Sequence, residues 1–156
     1  MKHFFLTMAA LLSLAACSRN SGTDEPTPQP APSILGTWKF TGYKSINGAD
    51  GSEFNLWPAD NCQGQDTFVF NTDGTAGKIA HLRSGGICNT QPIANHIYSY
   101  NATTKELTLT RSFDGFTTTH QVIKLESNTL EYVNNLYDGN GDGVLDKNVF
   151  IYTRAN

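Results

Sequence analysis

An all-β fold, an eight-stranded antiparallel up-and-down barrel, is the architecture that the chain predicts. Three observations carry it. Apolar and polar residues alternate with period two in successive runs from Thr37 to Arg154, and no segment shows a helical period. None of those runs contains proline, while Gly, Asn and Asp cluster between them. Aromatic residues make up 11% of the chain and charged residues only 16%, with Thr, Asn and Gly abundant, a balance that favours pleated surfaces over helices.

The N-terminus reads as an address. Lys2 and His3 precede Phe4 to Ala16, which is apolar apart from Thr7 and Ser13. That run is too short for a permanent membrane span and suits the core of a signal peptide over residues 1–16. Its end, Leu14-Ala15-Ala16-Cys17, resembles the lipobox of bacterial lipoproteins. The resemblance implies that the Cys17 thiol receives a diacylglyceryl group, that cleavage falls before it, and that the new amine is acylated. Each buried acyl methylene is worth about 0.8 kcal/mol, so several chains would hold the protein on a bilayer. Ser18 stands where an aspartate would favour inner-membrane retention in enterobacterial lipoproteins. The expected location is therefore the cell envelope, lipid-anchored at the outer membrane, facing either the periplasm or the surface. Residues 17–33 have four prolines and no large apolar residue, which predicts an extended tether ahead of a folded domain over 34–156.

Eight runs follow, at about 37–44, 66–71, 74–82, 94–101, 105–111, 116–125, 128–137 and 147–154. In the first, Trp38 and Phe40 share one face and Thr37, Lys39 and Thr41 the other, the signature of a half-buried strand. Gly36 just before it leaves room for backbone to pass close by. The second, fourth and sixth connections (Asn71 to Gly74, Asn101 to Thr104, Ser127-Asn128) carry tight-turn chemistry. The first, third and seventh (Ser45 to Gln65, Arg83 to Pro92, Asp138 to Asp146) are long, and the fifth, at Asp114-Gly115, is short. A meander puts odd connections at one end, so the barrel should have a compact end and a loop-rich mouth. Closure would set the first strand beside the last, bringing Trp38 to Arg154 at the compact end. Phe150, Tyr152 and Arg154 share a face, so the guanidinium could lie over the indole.

Leu35-Gly36-Thr37-Trp38-Lys39 resembles the opening of the small lipocalin-like domains of bacterial lipoproteins, and its Gly-x-Trp core the first strand of lipocalins. The Thr-Asp-Tyr type triplet of the true lipocalins is absent, which places the resemblance with the looser lipocalin-like group, over about Ile34 to Arg154. In lipocalins an arginine near the chain end packs on the first-strand tryptophan, a role that the resemblance implies for Arg154.

With Cys17 assigned to lipid, Cys62 and Cys88 remain, and beyond the inner membrane two such cysteines are expected to pair, tying the first connection to the third. Zinc is a poor alternative, because His81, His96 and His120 show no metal-ligand spacing. Asp138-Gly139-Asn140-Gly141-Asp142-Gly143-Val144-Leu145-Asp146 offers side-chain oxygens from Asp138, Asn140, Asp142 and Asp146, with the Val144 carbonyl between them, much as EF-hand loops do. Val149 stands at the twelfth position, where a bidentate carboxylate would be needed. The loop is closer to extracellular calcium modules; it predicts a weakly held structural calcium, or else a polar hairpin loop.

No catalytic constellation is visible. Ser84 lies in Arg83-Ser84-Gly85-Gly86, which lacks the Gly-x-Ser-x-Gly elbow, and Glu53, Asp60 and Asp66 are isolated carboxylates. A net charge of −3 with scattered Lys and Arg argues against a nucleic-acid partner. The chain is thus expected to be no enzyme, and to bind a small apolar or amphipathic ligand inside the barrel. Trp38, Phe40, Phe68, Phe70, Leu107, Leu109, Leu130, Tyr132, Phe150 and Tyr152 are the inward candidates, residues that would serve equally to fill the interior. The alternative is a protein-interaction or inhibitor module using the mouth loops, with Trp57 and Pro58 as an exposed anchor.

Overall fold

The computed structural model describes residues 32–155; the expected signal peptide, Cys17 and the tether up to residue 31 lie outside the described residues. The strands are β1 (Gly36–Ile46), β2 (Glu53–Pro58), β3 (Thr67–Phe70), β4 (Thr75–Ile79), β5 (His81–Ser84), β6 (Ile87–Thr90), β7 (Ala94–Asn101), β8 (Glu106–Arg111), β9 (Thr117–Leu125), β10 (Thr129–Tyr137) and β11 (Asp146–Arg154), with one 3-10 turn at Gln63–Gln65. Eight of them close a barrel: β1, β3, β4, β7, β8, β9, β10 and β11 pair in that order, and β11 pairs back onto β1. All the pairings are antiparallel.

Of the three further strands, β2 and β6 sit inside connections that the sequence reads as loops, and β5 straddles the end of an expected strand. β2 adds to the later part of β1, where Gly42 at φ +149° marks a bulge and the backbone of Trp57 and Pro58 leaves no room for a Cβ. The run expected as one strand at 74–82 breaks at Ala80 into β4 and β5, and β5 pairs with β6 around the Gly85-Gly86 turn as a separate hairpin. Both glycines have positive φ there, so the tight reversal is set by residues that carry no Cβ.

The inward side chains pack from the compact end upward. Trp38, Phe68, Phe70, Leu107, Leu130 and Tyr152 are fully buried, and Ile34, Phe40, Ala76, Leu109, Val122 and Tyr132 complete the core. Tyr132 and Tyr152 share a hydroxyl contact of 3.2 Å in that interior. Burial drives the Tyr132 phenol up to about 12 and Tyr152 well above its ordinary value, so both stay neutral donors.

Closure is visible at the compact end. Trp38 and Arg154 are Cα partners across β1 and β11, and the Arg154 guanidinium lies 4.2 Å from the indole centroid. Its Nε donates to the Ser127 carbonyl at 2.6 Å, and its two terminal nitrogens donate to Leu35 and Ser33 at 2.7 and 2.8 Å. The indole Nε1–H in turn donates to the Ile34 carbonyl at 2.7 Å. Gly36 makes this cluster possible. At φ +110° a Cβ there would come within 2.7 Å of the guanidinium, so the close approach is by Arg154 and not, as the sequence suggests, by backbone.

Candidate functional site

The barrel is full at one end and open at the other. At the mouth, inward residues from β3, β4, β7, β8, β9, β10 and β11, with Phe116 from the connection before β9, enclose a cavity of about 270 Å³. Its apolar wall is Phe68, Leu109, Phe116, Tyr132 and Phe150; its polar wall is Lys78, His96, Arg111, Thr118, His120 and Asn134. Small-molecule sites usually run from about 300 to 1,000 Å³, so this one suits a compact ligand. A smaller space of about 150 Å³ lies beside it, lined by Phe40, Tyr43, Gln63, Asp66, Lys78, Phe150 and Tyr152.

Strand alternation positions the polar wall. Lys78 follows Ala76 by two residues on β4 and pairs with Phe68, so it faces the interior that Ala76 and Phe68 fill. His96 pairs with Arg111 across β7 and β8, and His120 follows Thr118 by two on β9. The His120 Nδ1 faces the Val133 carbonyl at 3.0 Å and must donate to it; in the neutral ring Nε2 then accepts from the Thr118 hydroxyl at 3.0 Å. His96 Nδ1 likewise donates to Ala94 at 3.0 Å. Burial, followed by the charge of Lys78, pushes His120 down; His96 is pushed down by burial and then by Lys78 and Arg111.

The sequence-expected ligand residues divide by depth. Phe68, Leu109, Tyr132 and Phe150 line the main cavity, and Phe40 and Tyr152 the smaller one. Trp38, Phe70, Leu107 and Leu130 are sealed in the packed floor, away from either wall. Lys78, Arg111, Phe116, Thr118 and Asn134 escaped the sequence reading, and His96 and His120 entered it only as poor zinc candidates. Extending the Trp38 face through the hairpin registers would have found the strand residues among them.

At the mouth, Cys62 and Cys88 form a disulfide with a Cα separation of 5.5 Å, tying the segment before β3 to β6. The carboxylates that look isolated in sequence are engaged. Glu53 and Glu131 flank the buried Lys44 ammonium at 2.5 and 2.9 Å, and Asp60 accepts from the backbone N–H of Cys62 and Gln63. Asp66 holds His81 through both its backbone N–H and its ring. Trp57 does not stand out as an exposed anchor: it is half-buried and stacks on Tyr43 with centroids 5.0 Å apart, because β2 lays it along β1.

In the Asp138–Asp146 loop, Asp138 accepts from the backbone N–H of Gly141 and Gly143, and Asp142 from that of Val144. Asn140 accepts from Asp142 N–H and donates to the Asp142 carboxylate. Asp146 is fully buried and accepts from Gly48 and Gly139, both at 2.9 Å, so it pins the first connection to the last. Among the described residues no three His, Cys, Asp or Glu side chains are grouped as a metal cage. Val149, at the twelfth position, packs into the protein interior.

The profile of the lipocalin-like domain family matches residues 34–132, most of the described barrel, and the chain belongs to that family. A lipocalin-like protein from Bacteroides uniformis ATCC 8492, known from its crystal structure, is similar at 17% identity and a TM-score of 0.45, over 78% of this chain and 98% of that one. No curated protein matches.

Proposed function

We propose that the protein is a lipid-anchored envelope lipoprotein whose barrel binds a small amphipathic molecule in its mouth, and that it acts by binding and not by catalysis. The mouth cavity carries this reading: alternating residues of seven barrel strands converge on one space of about 270 Å³ above a packed floor. Apolar wall and convergent polar groups together are what fix both affinity and orientation in such sites. The Cys17 lipobox supports the anchoring half. Organic extraction of the purified protein followed by mass spectrometry is expected to release a small molecule. Leu109→Trp, which would fill the cavity, is expected to remove it at unchanged fold. Equal recovery from that variant, or nothing from the wild type and no binding of any small amphiphile, would overturn the ligand half. The anchoring half is tested by Cys17→Ala, which is expected to abolish metabolic labelling with palmitate; persistent label would refute it.

A further inference from the structure

The polar wall of the mouth cavity has an uneven charge. Two permanent cations, Lys78 and Arg111, line it, and no carboxylate does. Lys78 extends from an inward position, its Nζ 5.9 Å from the Phe150 ring centroid, and makes no ion pair among the described residues. Asp66 shares the smaller neighbouring space with Lys78, where its Oδ1 is engaged by the backbone N–H and ring of His81, and it forms no ion pair with Lys78. Arg111 is held from the rim: Asp114 takes one terminal nitrogen at 2.7 Å, and the rings of Phe113 and Phe116 lie 4.9 and 4.8 Å from its guanidinium carbon. That clamp leaves Arg111 Nε buried with no hydrogen-bond partner, the one such side-chain nitrogen or oxygen among the described residues. The buried Nε costs free energy without a partner, and the Lys78 ammonium meets no carboxylate on the main cavity. A ligand that brings an anionic oxygen into the cavity supplies the counter-charge that Lys78 and the Arg111 guanidinium lack there.

We infer that the ligand is an amphipathic carboxylate, with Lys78 and the Arg111 guanidinium as its charge partners and Phe68, Leu109, Tyr132 and Phe150 around its apolar tail; this rests on the cavity reading proposed above. The two histidines agree in sign. Both are held neutral beside the cations, so neither competes for the anion as a fixed charge, and each gains a favourable field once the anion is bound.

Octanoate, octanol and octylammonium share a tail and differ only in the head, so their dissociation constants for the full chain separate charge from apolar burial. Octanoate is expected to bind about tenfold more tightly than octanol, the size of one charge-assisted hydrogen bond. Lys78→Met should cut that preference at least about threefold, leaving the share that Arg111 supplies, and Lys78→Arg should keep it in full. Circular dichroism checks that both variants are folded, and in wild-type protein octanoate should raise the titration midpoints of His96 and His120 seen by NMR. If octanol or octylammonium binds as well as octanoate, or if folded Lys78→Met keeps the full octanoate preference, the charge inference is overturned and the cavity reading stands. If none of the three binds, the cavity reading falls and takes the inference with it.

Discussion

Replacing Arg154 with alanine removes more than a terminal charge. The side chain contributes a guanidinium face on Trp38 and three hydrogen bonds to the carbonyls of Ser127, Leu35 and Ser33, so it joins the β9–β10 turn, the start of β1 and the end of β11. The cation–π contact is worth about 0.5 to 2 kcal/mol. The hydrogen bonds lie where water can replace the guanidinium, which limits each to about 0.5 to 1 kcal/mol net. The sum is about 3 kcal/mol, or roughly a 10 °C fall in melting temperature for a domain of this size. Calorimetry of wild type, Arg154→Ala, Trp38→Phe and the double variant gives both the loss and the shared part. Phenylalanine keeps most of the core volume, so the cycle reads the contact and not a cavity, and a coupling of about 0.5 kcal/mol or more is expected. Arg154→Lys should behave nearly as alanine does, because an ammonium cannot reproduce a planar fork bonded to three carbonyls. A melting temperature within 2 °C or so of wild type for Arg154→Ala, or strict additivity, would refute the account of the compact end.

Asp146→Ala should destabilise the domain by about 2 to 4 kcal/mol in urea unfolding, because it orphans two backbone donors in separate connections. The proposal of a weakly held structural calcium in the same loop predicts a rise in melting temperature with millimolar calcium that Asp138→Ala abolishes; equal melting temperatures with calcium and with chelator would reduce the segment to a polar hairpin loop. Cys62→Ser with Cys88→Ser opens a loop of sequence separation 26, and in the chain-entropy model should cost about 3 kcal/mol. The variant barrel should keep its ligand preference, since neither cysteine lines the main cavity. For pH, the folded values of His96 and His120 lie below their ordinary 6.5, so the unfolded chain takes up protons first as pH falls through that value. Stability present above pH 6.5 should therefore decline on acidification. His96→Gln with His120→Gln should flatten that part of the profile, and an unchanged slope would count against the neutral-histidine assignment.

How far the sequence reaches depends on which physical signal each residue carries. The barrel strands were legible because half-buried strands leave a period-two record and tight turns demand Asn, Asp or Gly, as at Asn71 to Gly74. The pairing of Trp38 with Arg154 follows from counting connections in a closed meander. β2 left no such record: it is short, ends in Pro58, carries Asn55 at φ +52°, and is mostly exposed on both faces. Depth was equally invisible. Alternation says that Trp38, Leu107 and Phe150 point inward, but which of them touches a void depends on how side-chain volumes sum across eight strands. Lys78 and Arg111 drew no notice for the opposite reason, since a long cationic side chain is no signal of an interior until the register places it there.

Closing β11 onto β1 removes the free margins that a sheet normally offers to other chains. What remains open is the outer side of β2 and the short β5–β6 hairpin. β2 is a poor template for addition. Asn55 in the left-handed region breaks its ladder, the register slips between Lys44 and Ser45, Pro58 withholds a donor, and Glu53 brings a charge. The hairpin is braced at Cys88 by the disulfide, which keeps it from peeling out to recruit a neighbour. Under the anchoring proposed above, many copies crowded at high local concentration on one bilayer would therefore sit side by side without joining strand to strand.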